Sequence, residues 1–568
     1  MAKYTPMIEQ YLQIKKEVSD AILFFRLGDF YEMFFEDALT ASRELEITLT
    51  GRDGGAEERI PMCGVPYHSA DNYIAKLIEK GYKVAICEQM EDPAEAKGVV
   101  RREIVRIVTP GTVMDGKALS DKANQYLVCA AEAEGRYGLA ACDLSTGELS
   151  VTSFEPSDDL LLDEFYVYRP AEFIGDGKLI EAVLQRLPIG ARPLRSEEWT
   201  VCDPDLYRGQ FDEDERRGVD AAGQKAAGLL LGYLKATQKR TLSHLRSIRK
   251  YEPRQYMILD PFTRRNLELT ETVIDRSRSG SLLGLIDRTV TSMGARKLKR
   301  WLEKPLLDKR RIDERLEAVA HLVGNLIDRE ELRQRLKEIY DLERLVGRIA
   351  FGNANGRDML ALAASLRQIP EIAAICRASA STTLRTLVQD LDDCADVLAW
   401  IEAAIAEDAP VSVRDGGIIK SGYDEYLDKL REASSSGKRW LAELEQKERE
   451  ATGIKSLKLG FNKVFGYYIE VTKANLHLLP EGRYERKQTL AGAERFTTPE
   501  LKEKEALILE AEEKTVVLEY ELFTALRERV AGQIPRLQKL ADIVAAIDAL
   551  QSMAEVSATR HYTCPEID

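Results

Sequence analysis

Leu457-Lys-Leu-Gly460, Gly466-Tyr-Tyr-Ile-Glu-Val-Thr472 and Gln488-Thr-Leu490 lie in an insert, about Gly453 to Phe496, that is strand-prone and rich in Gly, Tyr, Lys and Arg. Helical patterns flank it on both sides. Upstream, Tyr423, Leu427, Leu430, Leu441 and Leu444 recur at three- and four-residue spacing; downstream, Leu526, Val530, Leu537, Leu540, Val544, Ile547 and Leu550 do the same. Read from Pro499 to about Thr559, the second pattern covers about 60 residues. Half of that, as helix, spans roughly 45 Å. Such helices are too long for a compact bundle and predict an arm, and an insert between two of them belongs at its far end. Residues 454–504 hold ten Lys/Arg against six Asp/Glu. The reading is a basic β module on a helical stalk.

The rest of the chain is of a different kind. With 568 residues it predicts about three to five domains, and 44% hydrophobic residues suit folded ones. Residues 1 to about 110 read as α/β: a strand at Ala21–Phe25, a Gly28-Asp29 turn, helices over Phe34–Leu45 and Asn72–Lys80, and strands at Lys83–Cys87 and Ile104–Val108. The loop Thr109-Pro-Gly-Thr112, followed by Asp115-Gly-Lys117, marks a boundary. Beyond it Tyr126–Ala130, Gly138–Asp143 and Glu148–Phe154 read as an antiparallel meander, with helices following to about residue 247. From about 258, long amphipathic helices dominate.

Several function classes recede. No apolar run approaches the roughly 20 residues of a bilayer span, and Met1-Ala-Lys-Tyr-Thr-Pro6 has no apolar signal core, so a cytoplasmic protein is expected. The eight cysteines form no C-x-x-C pair and the five histidines are dispersed, so no metal or redox motif is indicated. The net charge of −14, with pI about 5.3, argues against nucleic acid if taken alone. Local charge is the better guide: besides the insert, Lys239–Arg254 holds six basic residues against one Glu. Asp143 and Glu148 raise the thought of a nuclease, but metal-dependent nucleases need several convergent carboxylates, and two acids around a Ser-Thr-Gly turn are explained equally by turn chemistry.

Gly28-Asp-Phe-Tyr-Glu-Met-Phe34, Ile60–His68, Ala85–Gln89 and Arg106–Thr112 resemble, in order, the first domain of MutS-type mismatch-recognition proteins. Thr263–Leu269 and Met293–Leu302 are similar to that family's core, and Gly460–Tyr468 with Arg495–Leu501 to its clamp. The resemblance runs from about residue 5 to 568. It implies a mismatch-recognition domain over 1–112, an RNase H-like connector over 122–247, a helical core and lever over 258–452 and 497–568, and a clamp over 453–496. The family ends in a P-loop ATPase. No G-x-x-x-x-G-K-[ST] occurs here, and Tyr562–Asp568 resembles the stretch before that ATPase. The expectation is therefore a chain cut short of it, not itself an enzyme and without a cofactor, ATP and Mg belonging to the family's C-terminal domain.

The implied site residues have a physical logic. Disturbing a mispaired base costs less than disturbing a paired one, and an aromatic ring near a turn can stack on any base. That role falls to Phe30. In an extended backbone Glu32, two residues on, points the same way; it can accept a base N–H or, protonated, donate to a ring nitrogen. Taken alone, Phe30 reads as a core aromatic and Glu32 as a surface acid. Arg52 and Arg102 are expected to contact the DNA backbone near the mismatch, and Lys458, Asn462, Lys463, Arg486, Lys487, Gln488 and Arg495 are the candidates in the clamp. The implied partners are duplex DNA with mismatches or small loops, a second copy in the full-length form, and a MutL-type protein reached through the connector, in a nucleoid-associated bacterial setting. A structural DNA clamp without mismatch preference needs neither Phe30 nor Glu32, which separates that alternative from the leading reading.

Overall fold

A computed structural model describes residues 4–55, 58–91, 98–114, 120–462, 466–480 and 482–568. The chain forms two compact units: one of Met1–Asn353, Ala364–Cys394 and Gln533–Asp568, the other of Ala354–Ala363 and Ala395–Gly532.

The first unit begins with a six-stranded sheet built from β1 (Ala21–Leu27), β2 (Phe30–Phe34), β3 (Thr50–Arg52), β4 (Ile60–Pro66), β5 (Lys83–Gln89) and β6 (Arg102–Val108), in the order β3-β4-β2-β1-β5-β6. Gly28 takes φ +58° in the two-residue turn joining β1 to β2, a conformation that costs glycine little. Alternation along the strands makes two cores. Ile22, Phe24, Tyr31 and Met33 pack toward Ala38, Ala41, Ile74 and Leu77 of the helices Phe35–Leu45 and Ala70–Glu79. Leu23, Phe25 and Phe34 pack under Ile8, Tyr11 and Ile14 of the helix Pro6–Glu17. That helix and the strands β3 and β4 were not read from the sequence.

The second sheet comprises β7 (Leu127–Ala133), β8 (Arg136–Asp143), β9 (Glu148–Phe154), β10 (Glu172–Gly175), β11 (Arg195–Glu198) and β12 (Arg249–Lys250), ordered β11-β10-β7-β8-β9-β12. The meander over β7–β9 lies where expected. Helices follow as read, among them Asp158–Tyr168, Gly177–Arg186 and Ala221–Gln238, but the stretch also carries β10 and β11, which extend the sheet parallel to β7 and to each other. Both have only four residues, too few to show a period. The Thr109–Thr112 boundary loop is buried rather than exposed: Glu172 accepts hydrogen bonds from Thr109 Oγ1 (2.5 Å), Gly111 N (3.0 Å) and Tyr233 OH (2.5 Å). The next segment, Asp115–Lys117, lies outside the described residues.

In the helical part of this unit, the helices Ser292–Glu303 and Ile534–Arg560 pack together. The buried Asp548 carboxylate accepts from Thr291 N (2.8 Å) and Thr291 Oγ1 (2.6 Å), capping the first helix from the second. Gly294 permits the approach, since a Cβ there would fall 2.2 Å from Asp548 Oδ2. The region read as one helical run from Pro499 to about Thr559 is in fact two helices, Pro499–Ala531 and Ile534–Arg560. Pro535 explains the break: lacking an N–H, it fits a helix's first turn and not its interior. One helix, Gly356–Ala378, has the length and apolarity to cross a membrane, although no such run was expected; Leu366, Ile369, Ile372 and Cys376 are buried in the protein, as in a core helix.

The second unit carries the expected stalk and insert. The helices Glu425–Thr452 and Pro499–Ala531 run antiparallel, tied by Arg431–Glu519 (2.8 Å) and Lys438–Glu512 (2.7 Å). Gly437 lets them close, since a Cβ there would meet Ile508 Cγ1 at 2.3 Å. Tyr423, assigned to the first helix by its spacing, precedes it and is exposed. Between the helices lie β13 (Lys458–Asn462), β14 (Gly466–Thr472), β15 (Glu485–Thr489) and β16 (Ala493–Thr497), ordered β13-β14-β16-β15. Ile469, Val471 and Phe496 face Leu441, Leu444, Leu501 and Ile508.

Candidate nucleic-acid interface

Strand β2 makes the first candidate surface. Tyr31 and Met33 are 7% and 0% exposed, while Phe30, at the strand's start, is 46% exposed. Phe30 is therefore not a core aromatic. Leu27 and Pro66 are its cross-strand partners, and Glu32 is paired in register with Phe25 and Gly64, so ring and carboxylate share one face of the sheet. The helix Pro6–Glu17 covers Phe25 and Phe34 on that face and leaves Phe30 open.

The turn beneath Phe30 is braced by residues that sequence reasoning did not single out. Tyr67 N donates to Asp29 O (2.9 Å), and the Arg26 guanidinium lies 3.7 Å from the centroid of the Tyr67 ring. Arg26 Nε also donates to Gly28 O (2.5 Å). Tyr67 stood inside the Ile60–His68 motif, but its stacking on Arg26 has no sequence signature.

The two first-domain arginines part company. Arg52 Nη1 donates to Glu32 Oε2 at 2.5 Å, with side chains 39% and 18% exposed. The structure thus brings together two residues given separate roles. Arg102 corrects its expected role. It is 7% exposed, its Nε donates to Arg26 O (2.7 Å), and its Nη1 donates to Gln10 Oε1 (3.0 Å) and Val100 O (2.9 Å). Its guanidinium sits 4.9 Å from the Phe25 ring centroid. Burial works against its charge. Among the described residues, a cation so enclosed ties the helix Pro6–Glu17 to the sheet and presents little surface for a phosphate.

The β13–β16 sheet makes the second surface. Its outward side carries a row across all four strands: Lys458, Glu470, Arg495 and Gln488. Lys458 is exposed, with no ion pair among the described residues. Arg495 is held on three sides: Nε lies 2.9 Å from Glu470 Oε2, Nη1 donates to Gln488 Oε1 (3.0 Å), and the guanidinium stacks 4.1 Å from the Tyr468 centroid. Its side chain is only 18% exposed. Tyr468 lies across Gly460, where a Cβ would come within 2.8 Å of its ring. Lys487, at the bulge in β15, is directed to Tyr467 O (3.4 Å) and Glu505 Oε2 (3.6 Å) with a side chain 20% exposed, so its ammonium serves the module's interior. Arg486 is 3.2 Å from Glu494 yet 64% exposed. Asn462 ends β13 opposite Gly466. Lys463 lies outside the described residues.

Other charged groups are absorbed locally. Within Lys239–Arg254, Arg240 donates to Phe351 O (2.7 Å), Lys250 to Arg217 O (2.9 Å), and Arg249 pairs with Glu148 (3.5 Å) and Asp542 (3.4 Å). Asp143 is buried and accepts from Ser145 Oγ (2.7 Å) and Asn124 Nδ2 (2.8 Å). Burial alone would raise the pKa of Glu148, but Arg300 and Arg249 hold it below the usual carboxylate value. Among the described residues, no group of three or more His, Cys, Asp or Glu is arranged to hold a metal ion.

Three family models match the chain: MutS domain I over residues 5–117, MutS domain II over 125–246 and MutS domain III over 262–554. The DNA mismatch repair protein MutS of Brevibacillus brevis is 55% identical over 567 residues, covering 100% of this chain and 65% of that protein. Its counterpart in Bacillus subtilis is 53% identical over 571 residues, covering 100% and 65%. That of Listeria monocytogenes (serovar 1/2a) is 53% identical over 570 residues, covering 100% and 66%. The chain spans about 65% of the length of the curated relatives it matches.

Proposed function

The chain belongs to the MutS family of DNA mismatch repair proteins, and from that premise we propose that it binds mismatched or looped duplex DNA to initiate repair, with Phe30 as the wedge and Glu32 as its polar companion. One observation carries the reading: on a strand whose neighbouring side chains, Tyr31 and Met33, are core, Phe30 stands half-exposed beside a glycine turn on the same face as a carboxylate. An exposed ring at the end of a core strand offers a flat stacking face, and a base step that is already weakly stacked is a suitable occupant for it. Stacking on such a ring contributes roughly 1–3 kcal/mol per base in single-strand binders.

Within this reading the second sheet belongs to an RNase H-like connector, supported by the meander β7–β9 with β10 and β11 added parallel to β7; it is the surface through which a MutL-type partner would be reached. The β13–β16 sheet is the clamp, whose exposed Lys458 and Arg486 would address phosphates without reading sequence. In the full-length form a second copy would complete the grip on the duplex.

The test is binding of the chain to a G·T heteroduplex and to its matched homoduplex, with and without Phe30→Ala. The expected result is a preference for G·T that the substitution lowers about ten-fold, in line with the loss of one stacked base. A preference that survives unchanged removes the wedge assignment.

A further inference from the structure

We infer that Arg52 is a positioning residue for Glu32, holding the carboxylate aimed beside Phe30 before DNA arrives and releasing it as the duplex docks. The inference rests on the mismatch-reading function proposed above and assigns a job within it.

Arg52 sits on β3 and Glu32 on β2, with β4 between them. Across β4 the register partner of Glu32 is Gly64, whereas Arg52 is opposite Ile60. The guanidinium therefore reaches diagonally back along the sheet to meet the carboxylate at 2.5 Å. Gly64 lies beside that path: a Cβ there would stand 3.5 Å from Glu32 Cγ and 3.3 Å from Tyr31 O. A residue without a side chain thus flanks Glu32 where its partner approaches.

The arrangement addresses a difficulty in the reader itself. Phosphates repel a carboxylate brought to DNA, and an unpaired Glu32 would weaken every encounter. Paired with Arg52, the site presents no net charge. The pair is partly exposed, 39% and 18%, so water reaches it and it can exchange. Exposed pairs of that kind are weak, enough to orient a side chain and little enough to give up. When the duplex docks, a phosphate takes the guanidinium and the base edge takes the carboxylate. Of the two first-domain arginines expected at the DNA backbone, Arg52 is placed to do this, because Arg102 is enclosed.

The experiment is a double-mutant cycle on the chain, with Arg52→Gln and Glu32→Gln singly and together, read as the ratio of G·T to homoduplex affinity over a range of salt concentrations. Arg52→Gln is expected to lower the ratio about two- to five-fold, the range such a pair supports, and to leave it unmoved when Glu32 is already Gln. Arg52→Lys, which keeps the charge, is expected to restore most of the ratio. A phosphate contact alone predicts otherwise. Arg52→Gln would then weaken both duplexes by one factor, reduce the salt slope by about 0.9, and leave the ratio unchanged; that result overturns the inference while the reader stands. A wild-type chain with no preference for G·T, indifferent to Phe30→Ala, overturns the reader and the inference together.

Discussion

Strand β2 and the outward row of the β13–β16 sheet are made by the same device and end in opposite states. In both, alternation sends one set of side chains into the core and the other to the surface. On β2 the surface residue is an aromatic ring that nothing closes over: Phe30, 46% exposed beside buried Tyr31 and Met33. On the sheet, Lys458 is open, but Arg495 is enclosed by Glu470, Gln488 and Tyr468, and Lys487 is turned toward Glu505. The difference is one of chemistry. An apolar ring at a surface has no charged neighbour to pair with, so its face remains open to a base or another apolar group. A cation in an acidic protein finds a carboxylate nearby.

The comparison breaks first at Arg102. If it is a fold residue, Arg102→Ala should destabilise its sheet by about 2–4 kcal/mol, the scale for removing a buried charged donor. The measurement is hydrogen exchange at the β1 and β6 amides, because several domains melting separately leave no single unfolding energy. Unchanged protection with a flatter salt dependence of DNA binding would return Arg102 to the phosphate contacts. Phe30→Ala is the mirror case. Its ring is half in water already, so the same amides should lose less than about 1 kcal/mol of protection, while the G·T preference falls. A large loss of protection would make Phe30 a packing residue after all.

How far the sequence could carry this follows from the same contrast. Strands β1, β5, β7, β8 and β9 were legible because each is an apolar or alternating run bounded by turn residues. The clamp insert was legible because a β pattern interrupts two helical ones. The short strands β10 and β11 offered no period, and the break at Gly532–Gln533 was masked because Leu526, Val530, Leu537 and Leu540 keep helical spacing across it. At the site, Phe30 and Glu32 needed only local geometry, i and i+2 on an extended strand. Arg52, Arg102, Lys487 and Arg495 needed to be known together with their partners, which lie 20, 92, 18 and 25 residues away at Glu32, Gln10, Glu505 and Glu470. Sequence shows that a cation is present and leaves hidden what neutralises it.

The smallest effects test the clamp row itself, and they differ in sign. Lys458 is exposed at its edge, so Lys458→Ala should weaken both duplexes alike and lower the salt slope by about 0.9, the loss of one phosphate contact. Glu470 stands between Lys458 and Arg495 in the same row. As a carboxylate it repels phosphate and occupies the Arg495 Nε at 2.9 Å. Glu470→Gln removes the repulsion and loosens the guanidinium, leaving Gln488 and Tyr468 to orient it. Binding to homoduplex and to G·T should then tighten together, about two- to three-fold, since a half-buried pair of this kind is worth roughly 1 kcal/mol, and the salt slope should steepen. Weaker binding instead would mean that Glu470 matters more as the partner that shapes Arg495 than as a charge facing DNA, and the row would be a framework rather than a contact surface.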